Sequence, residues 1–216
     1  QRQDPPDVTR DDEERSIMRQ FELPSERSFG LTGEARLSAR ADAQAVDELL
    51  GRAHGSSEPW VRASGDLAGS ISTPAAAFDG DPATAWTTVR SAPVGAWIEV
   101  NLPSPTTVES FPLTVVADGL HSVPTEIEVS VDGGRAVKVP VEGVRTGSRQ
   151  NDTSTVEVRL PEALTGSSFR FRVTNVLPVI TNDWVSDNEV TQPAAIAEIG
   201  LPGPTVPALP ETFDTG

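Results

Sequence analysis

The sequence predicts an all-β domain, an antiparallel sandwich or barrel, on two observations. From Trp60 onward, short segments with alternating apolar side chains follow one another, separated by clusters of Gly, Pro, Ser and Asp and without intervening helical patterns. The 19 prolines and 17 glycines are spread along the 216 residues, which suits many strands joined by turns. The predicted strands have the sequences VRASG, WIEVNL, ESFPLTVVA, EIEVSVDG, RAVKVPV, TVEVRLP, FRFRVTNV and AIAEIGL.

The chain before these strands divides into two predicted parts. Residues 1–16 are charged and have almost no large apolar side chains, so we expect a flexible acidic lead-in. Residues 17–55 contain alternating apolar positions, which predict a strand pair, and then the segment ADAQAVDELLGR, which predicts one short helix. Asp42 is the expected N-cap of that helix and Gly51 its expected C′ residue.

The main predicted domain spans residues 56–203, and residues 204–216 form a Pro-rich linker. The chain begins with Gln and has no signal-peptide core. We therefore expect a mature or excised segment of a longer protein, with its targeting information elsewhere.

Charge and composition exclude several classes of function. The chain has 32 acidic and 17 basic residues, a net charge of −15, which disfavours binding to nucleic acid or to anionic membranes. Because it has no cysteine, it has no thiol catalysis, no thiolate zinc site and no disulfide. No apolar stretch has the length of a membrane span, so we expect no membrane insertion by this segment. Neutral polyols and divalent cations remain as partners that an acidic surface does not repel.

The segment AAFDGDPATAW, residues 76–86, carries the sharpest chemical signal. It places the carboxylates of Asp79 and Asp81 and the hydroxyl of Thr84 around Gly80, which tolerates a positive φ. Such hard oxygen ligands, joined by carbonyls of a tight loop, suit Ca²⁺ better than a transition metal. The spacing is not that of an EF-hand. Taken alone, the segment also fits an ordinary turn with solvated carboxylates.

Four landmarks in order, FDGDPATAW, WIEVNL, VSVDGG and AIAEIGL, resemble the discoidin, or coagulation factor 5/8 type C, family. The resemblance covers roughly residues 56–203 and implies a galactose-binding-like jelly-roll β-sandwich. In that family the first landmark holds a structural calcium ion. The matching positions imply side-chain ligands from Asp79, Thr84 and Glu198, and mainly backbone carbonyls from Ala76, Asp81 and Ala197. Asn101, where the family usually has Asp, departs from the pattern without touching the metal.

Candidate ligand-binding residues lie in loops between the predicted strands. Trp184 lies in the polar segment TNDWVSDNE, where no packing period explains it, and an aromatic ring can stack on the C–H face of a sugar. Its neighbours Asn182 and Asp183 can hydrogen-bond hydroxyls. His121 and Arg90 lie in other loops, and the resemblance implies that these loops cluster at the ligand-binding end. Each residue also fits a solvated loop position.

The other tryptophans have different expected places. Trp86 and Trp97 belong to the landmark segments, and we expect both in the core. Trp60 begins the first predicted strand, and its place stays open.

The sequence lacks the motifs of common enzymes. It has no Gly-x-Ser-x-Gly, phosphate-loop, His-Glu-x-x-His or dinucleotide-binding motif. A carboxylate pair for glycoside hydrolysis stays a minor alternative, because an acidic protein offers such pairs by chance. The lack of these motifs favours a non-catalytic chain, and the discoidin resemblance, with the unexplained Trp184, implies a glycan-binding module. The alternative is a structural spacer that packs against its parent protein or a partner and binds no sugar.

The segment that precedes the sandwich is similar to the corresponding region of the α-(1→3)-arabinofuranosyltransferase family of mycobacterial cell-wall synthesis. The similar stretches are RQFELPSERSFGLTGEARLSA and AVDELLG. This resemblance implies an extracytoplasmic part of a membrane-anchored transferase whose catalytic part is absent here. It also implies that the glycan is cell-wall arabinan or a related acceptor.

Overall fold

The computed structural model describes residues 25, 30, 41–49, 59–65, 72–183, 187–203 and 205–206. The predicted lead-in, the predicted strand pair, Gly51, Trp184 and nearly all of the Pro-rich linker lie outside these residues. No helix in the described part is both long and apolar enough to cross a bilayer.

The described elements are mostly strands. One helix, α1 (Ala43–Leu49), and one 3₁₀ turn (Pro74–Ala77) accompany them. The strands are β1 (Trp60–Ala63), β2 (Trp86–Thr87), β3 (Trp97–Val116), β4 (Val123–Val131), β5 (Val137–Pro140), β6 (Thr153–Leu177), β7 (Ile180–Asn182), β8 (Glu189–Thr191) and β9 (Ala195–Ile199).

Two long antiparallel strands, β3 and β6, connect the layers of the sandwich. The sheet has the order β2-β9-β3-β6-β4-β5, with β1 also paired to β3. The register between β3 and β6 shifts between Asn101 and Thr106. On one side of this shift β3 and β6 carry β1, β4 and β5, and on the other side β3 carries β9, which pairs with β2. The predicted all-β sandwich is confirmed.

Four of the predicted strands are not separate strands, and that prediction is wrong. WIEVNL and ESFPLTVVA both lie in β3, and TVEVRLP and FRFRVTNV both lie in β6. Pairing continues near the bend, where Thr106 pairs with Gly166 and the hydroxyls of Thr107 and Thr165 are 2.8 Å apart. The polar and Pro-containing residues there therefore bend two continuous strands and do not end them.

One hydrophobic core lies between the two layers. The rings of Phe111 and Phe171, from different layers, meet edge to face with centroids 5.2 Å apart. Phe78 approaches Phe171 at 6.4 Å. Trp86 is fully buried as predicted, and its indole N–H donates to the Gly65 carbonyl at 3.0 Å.

The prediction that Trp97 lies in the core is wrong. Side chains alternate along a strand, and Ile98 and Val100 of β3 point into the core. Trp97 therefore faces outward, where the Arg170 guanidinium lies 4.3 Å from its ring centroid.

Helix α1 confirms the predicted helix and its N-cap. The backbone N–H of Ala45 donates to the Asp42 carboxylate at 2.8 Å. Val46 is buried, and the Thr73 hydroxyl donates to the Asp47 carboxylate at 2.7 Å. The helix thus contacts the chain just before the 3₁₀ turn.

Replacing Phe171 with Ala should lower the free energy of unfolding by about 3–5 kcal/mol, because it removes the ring that joins the layers and leaves a cavity. Chemical denaturation measures this change. The control Val94→Ala, at a turn residue that is 53% exposed, should change stability by less than about 0.5 kcal/mol. Equal effects of the two substitutions would contradict the assigned core.

Candidate functional site

The loop between the 3₁₀ turn and β2, here called the oxygen loop (residues 76–84), gathers oxygen atoms around one hydroxyl. Thr84 Oγ1 lies 2.9 and 3.1 Å from the two Asp79 carboxylate oxygens. It also lies 3.0 Å from the Asp81 carbonyl oxygen and 3.4 Å from that of Ala76. The Thr84 hydroxyl has one hydrogen to donate, so it cannot form a hydrogen bond with each of these four oxygen atoms at once.

The local sequence explains why the loop curls so tightly. Gly80 adopts φ of 74°, a conformation that side chains with a Cβ rarely adopt. The Asp79 carboxylate accepts the Asp81 N–H at 3.0 Å, and the Asp81 carboxylate accepts the Ala83 N–H at 2.9 Å. These two Asp turns hold the loop in its tight conformation. The side chain of Asp81 thus accepts the Ala83 N–H, whereas its carbonyl faces the Thr84 hydroxyl.

Glu198 of β9 joins the oxygen loop to the last strand. Its carboxylate accepts the Gly80 N–H at 2.8 Å, across 118 positions of sequence. Burial raises the pKa of Glu198, the Gly80 hydrogen bond lowers it, and the charges of Asp79 and Asp81 raise it, with a result of about 7. Three carboxyl groups are thus close enough to repel one another, a charge arrangement that a cation would relieve.

Ala197 occupies a break in the strand ladder. β9 pairs Glu198 with Thr114 but Ile196 with Val115, so Ala197 is an extra residue without a partner on β3. Such a β-bulge interrupts the regular backbone bonding. The carbonyl of Ala197, a predicted calcium ligand, therefore lies at a position that the regular pairing of β9 with β3 skips.

The predicted calcium ligands fit a hard divalent cation. The structure brings Ala76, Asp79, Asp81 and Thr84 together in the oxygen loop and sets Glu198, next to Ala197, against it. All these donors are oxygens, as Ca²⁺ prefers. In the described residues no group of three or more His, Cys, Asp or Glu side chains has metal-binding geometry. The predicted set does not call for one, because Asp81 is expected to contribute its carbonyl.

A second group of loops meets at the other end of β9. This loop end comprises residues 88–92, 118–122, 178–183 and 187–194. The N–H of Thr88 donates to the Ala194 carbonyl at 2.9 Å, and the N–H of Ala194 donates to the Thr88 hydroxyl at 3.1 Å. Ser122 forms a bridge with Ala194. Ala194 and Glu198 are four positions apart, about 13 Å along the strand.

Further hydrogen bonds hold the same loops together. The Ser122 hydroxyl donates to the Gln192 carbonyl at 2.7 Å and accepts the Val179 N–H at 3.1 Å. The N–H of Ser91 donates to the Thr191 carbonyl at 3.1 Å. The loops therefore form one connected surface.

Four of the predicted ligand-binding residues lie on this loop end. Arg90 is exposed in the turn that contains Ser91. His121 follows the Asp118 turn, and its ring Nδ1 lies 3.0 Å from the Asp118 carboxylate. Asn182 is exposed at the end of β7, and the Asp183 N–H donates to the Asn188 carbonyl at 2.8 Å. Trp184 lies outside the described residues, so its role stays a prediction.

The loop end also exposes apolar side chains beside these polar ones. The exposed fractions are 46% for Val89, 54% for Leu120 and 53% for Ile180, and Leu177, the last residue of β6 just before the loop end, is 61% exposed. A sugar likewise presents C–H groups and hydroxyls side by side, so the surface has the mixed character that such a ligand needs.

Asp118, which the sequence analysis did not single out, organises the loop end. This buried carboxylate accepts the N–H groups of Leu120 at 2.8 Å, of His121 at 3.1 Å and of Asn151 at 3.0 Å. Burial raises its pKa, but hydrogen bonds from Asn151, the His121 ring and Leu120, with the charge of His121, lower the pKa to about 2. The Asp-Gly turn in ADGLH was a signal for part of this arrangement.

Comparison with known proteins gives the family. The sequence profile described as "F5/8 type C domain" matches residues 55–194. The chain belongs to this family. Among curated proteins, none matches this F5/8 type C chain.

Several solved structures are similar to this F5/8 type C chain. The family 32 carbohydrate-binding module of C. perfringens NanJ, in complex with galactose, is 19% identical, with a TM-score of 0.45; 68% of this chain and 94% of that chain are covered. For a pectin-binding carbohydrate-binding module the identity is 21%, the TM-score 0.43 and the coverages 70% and 93%. For the arabinofuranosyltransferase AftD from Mycobacteria the identity is 21% and the TM-score 0.43, and 72% of this chain and 12% of that chain are covered. Likeness at this level says nothing about ligands.

Asp118→Asn should destabilise the chain at neutral pH and not at very low pH. The folded pKa of about 2 lies below the ordinary 3.8, so the charged carboxylate stabilises the fold above about pH 4, and this stabilisation is lost as the pH falls toward 2. At pH 7 we expect a loss of no more than about 2 kcal/mol. Unfolding free energies measured from pH 7 to pH 2 check this. A deficit of the variant that stayed constant over that range would contradict the assignment.

Proposed function

We propose that this chain is a non-catalytic carbohydrate-binding module that holds a glycan at its loop end. The observation that carries the proposal is that the three loops of Arg90, His121 and Asn182 are hydrogen-bonded to one another around the start of β9. Arginine and amide donors with a carboxylate-supported imidazole can bond to several hydroxyls at once. Membership of the F5/8 type C family supports the same reading.

The Asp118–His121 contact gives the loop end a fixed donor geometry. Because the ring Nδ1 faces the carboxylate, Nε2 is the nitrogen left for a ligand hydroxyl. The loop is anchored from a second side by the N–H of Asn151. A site whose groups are already ordered loses less entropy when a flexible glycan binds.

A structural spacer remains the alternative function. A spacer would bury its loops against the parent protein, and the exposed apolar residues Val89, Leu120, Leu177 and Ile180 are compatible with that. The polar residues beside them favour a glycan. A protein contact would remove water from Arg90 and Asn182, which costs free energy unless the partner replaces their hydrogen bonds, and sugar hydroxyls can replace them. Trp184 separates the two functions by experiment.

For the glycan we propose cell-wall arabinan or a related neutral acceptor. The net charge of −15 disfavours anionic polymers, and the similarity of the preceding segment to arabinofuranosyltransferases supports this sugar. In this proposal the module is extracytoplasmic, in the cell envelope, and belongs to a membrane-anchored glycosyltransferase. Tethering would raise the effective concentration of acceptor near the catalytic part.

We further propose that the oxygen loop holds a structural Ca²⁺. Asp79, Thr84 and Glu198 would supply side-chain oxygens, and Ala76, Asp81 and Ala197 would supply carbonyls. Ca²⁺ would compensate the repulsion between the carboxylates of the loop and β9. Because the ligands come from both ends of the domain sequence, the binding free energy would add to the folding free energy.

Arg90→Ala, His121→Ala and Trp184→Ala should each weaken binding of arabinan oligosaccharides by about tenfold, since each removes one direct contact. Isothermal titration calorimetry measures the affinities. The matched control is Arg135→Ala, an exposed arginine in the turn between β4 and β5, which should bind like the wild type. Undiminished binding by all three loop-end variants would contradict the site. Absence of binding by the wild type at about 1 mM glycan would favour the spacer.

Removal of calcium with EDTA should lower the melting temperature by about 5–10 °C when the starting Ca²⁺ is about 100-fold above its dissociation constant. Asp79→Ala should abolish this sensitivity, because it removes the carboxylate next to Thr84. The control Asp187→Ala, at an exposed aspartate outside the oxygen loop, should keep it. An unchanged wild-type melting curve with EDTA would overturn the calcium proposal.

A further inference from the structure

A cleft of about 390 Å³ lies between helix α1 and strand β1. Its walls include Asp42, Gln44 and Asp47 from the helix side and Trp60 and Arg62 from β1. The family match begins at residue 55, so the helical wall lies outside the matched F5/8 type C region. One end of the cleft is Gly65, which lies against Val89 of the loop end, and Trp60 lies five positions earlier, about 16 Å away in an extended chain.

Trp60 gives this cleft an aromatic surface that is held in place. Its side chain is 40% exposed, and the Arg62 guanidinium lies 5.3 Å from its ring centroid. Arg62 is itself fixed, because its Nε donates to the Glu99 carboxylate at 2.7 Å. Glu99 is only 6% exposed and also accepts Arg170 Nε at 2.8 Å. The ring is therefore ordered before a ligand arrives, although much of it faces solvent.

Hydrogen-bonding groups face the same space. The carboxylates of Asp42 and Asp47 each accept a hydrogen bond already, and a carboxylate has capacity for further ones. Gln44 adds an amide that can both donate and accept. This set complements hydroxyl groups, which also donate and accept.

The backbone of β1 contributes a further row of groups. Among the described strands, β1 pairs with β3 alone and lies at an edge of the sheet that they form. The Ser64 N–H donates to the Trp97 carbonyl, so by alternation the polar backbone groups of Val61 and Ala63 point away from β3. Both residues line the cleft.

We propose that this cleft is a second saccharide site that binds a neutral sugar. One sugar ring stacks on Trp60, and its hydroxyls bond to Asp42, Gln44 and Asp47 and to the free edge of β1. The volume lies near the lower end of the range for small-molecule sites, which suits one or two sugar rings. Two carboxylates against one arginine disfavour a uronic acid. The site does not require the loop end to bind.

The test uses the Arg90→Ala/His121→Ala double variant, in which the loop end is impaired, and follows the four indole N–H signals by NMR. Neutral arabinan oligosaccharide should shift the Trp60 indole signal in a saturable way. An oligogalacturonate of the same length should shift it far less, because of the two carboxylates. Trp60→Ala in this background should weaken residual binding, measured by calorimetry, by about tenfold. Trp60→Phe should keep most of it, because an aromatic face remains.

Two further measurements keep the outcome unambiguous. Gln44→Ala, at an exposed helix position, should also weaken binding and should lower the melting temperature by no more than about 2 °C. An unperturbed Trp60 signal at about 1 mM sugar, or equal affinity of Trp60→Ala and its parent, would overturn the second site. If the loop-end substitutions abolish all binding, only the second site fails. If they change nothing and Trp60→Ala removes binding, only the loop-end site fails.

Discussion

The short strand β9 is the constraint on which both candidate sites depend. At its start, Ala194 exchanges hydrogen bonds with Thr88 and bridges to Ser122, which sets the relative positions of the loops at one end of the sandwich. Near its finish, Glu198 accepts the N–H of Gly80 and so reaches the oxygen loop. Because Ile196 between them pairs with the buried Trp86, the strand is also anchored in the core. A change in the strand register would therefore disturb both ends together.

Two carboxylates near opposite ends of β9, the buried Asp118 and the half-buried Glu198, have opposite surroundings. Asp118 at the loop end is surrounded by N–H donors, and its pKa is lowered to about 2. Partial burial of Glu198 raises its pKa, and the neighbouring carboxyl groups raise it further, to about 7. The first arrangement is complete without a ligand and stabilises a loop. The second carries excess negative charge, which the proposed Ca²⁺ would compensate. A carboxylate thus has a structural role at one end and a proposed metal-binding role at the other.

The sequence predicted the features that depend on local order and on landmark spacing. The Asp42 cap and the buried Trp86 follow from short patterns, and the oxygen loop follows from the spacing of Asp79, Asp81 and Thr84. Long-range pairing was harder to predict. Trp97 was assigned to the core because it belongs to a landmark segment, but its neighbours Ile98 and Val100 point inward, so Trp97 faces outward. The role of Asp118 depends on Asn151, which is 33 positions away, and no local pattern reports that contact.

The central claim is that a glycan binds where the loops meet at the start of β9. The most direct measurement is a titration of the ¹⁵N-labelled chain with arabinan oligosaccharide, followed through its backbone amide signals. The account predicts that a saturable set of shifts, apart from those near Trp60, falls on three loops: residues 88–92, residues 118–122, and the β7–β8 hairpin with the residues that follow it (178–183 and 187–194). The amides of the β4–β5 turn around Arg135 should stay unchanged. Shifts that leave these three loops untouched at saturating sugar would contradict the account.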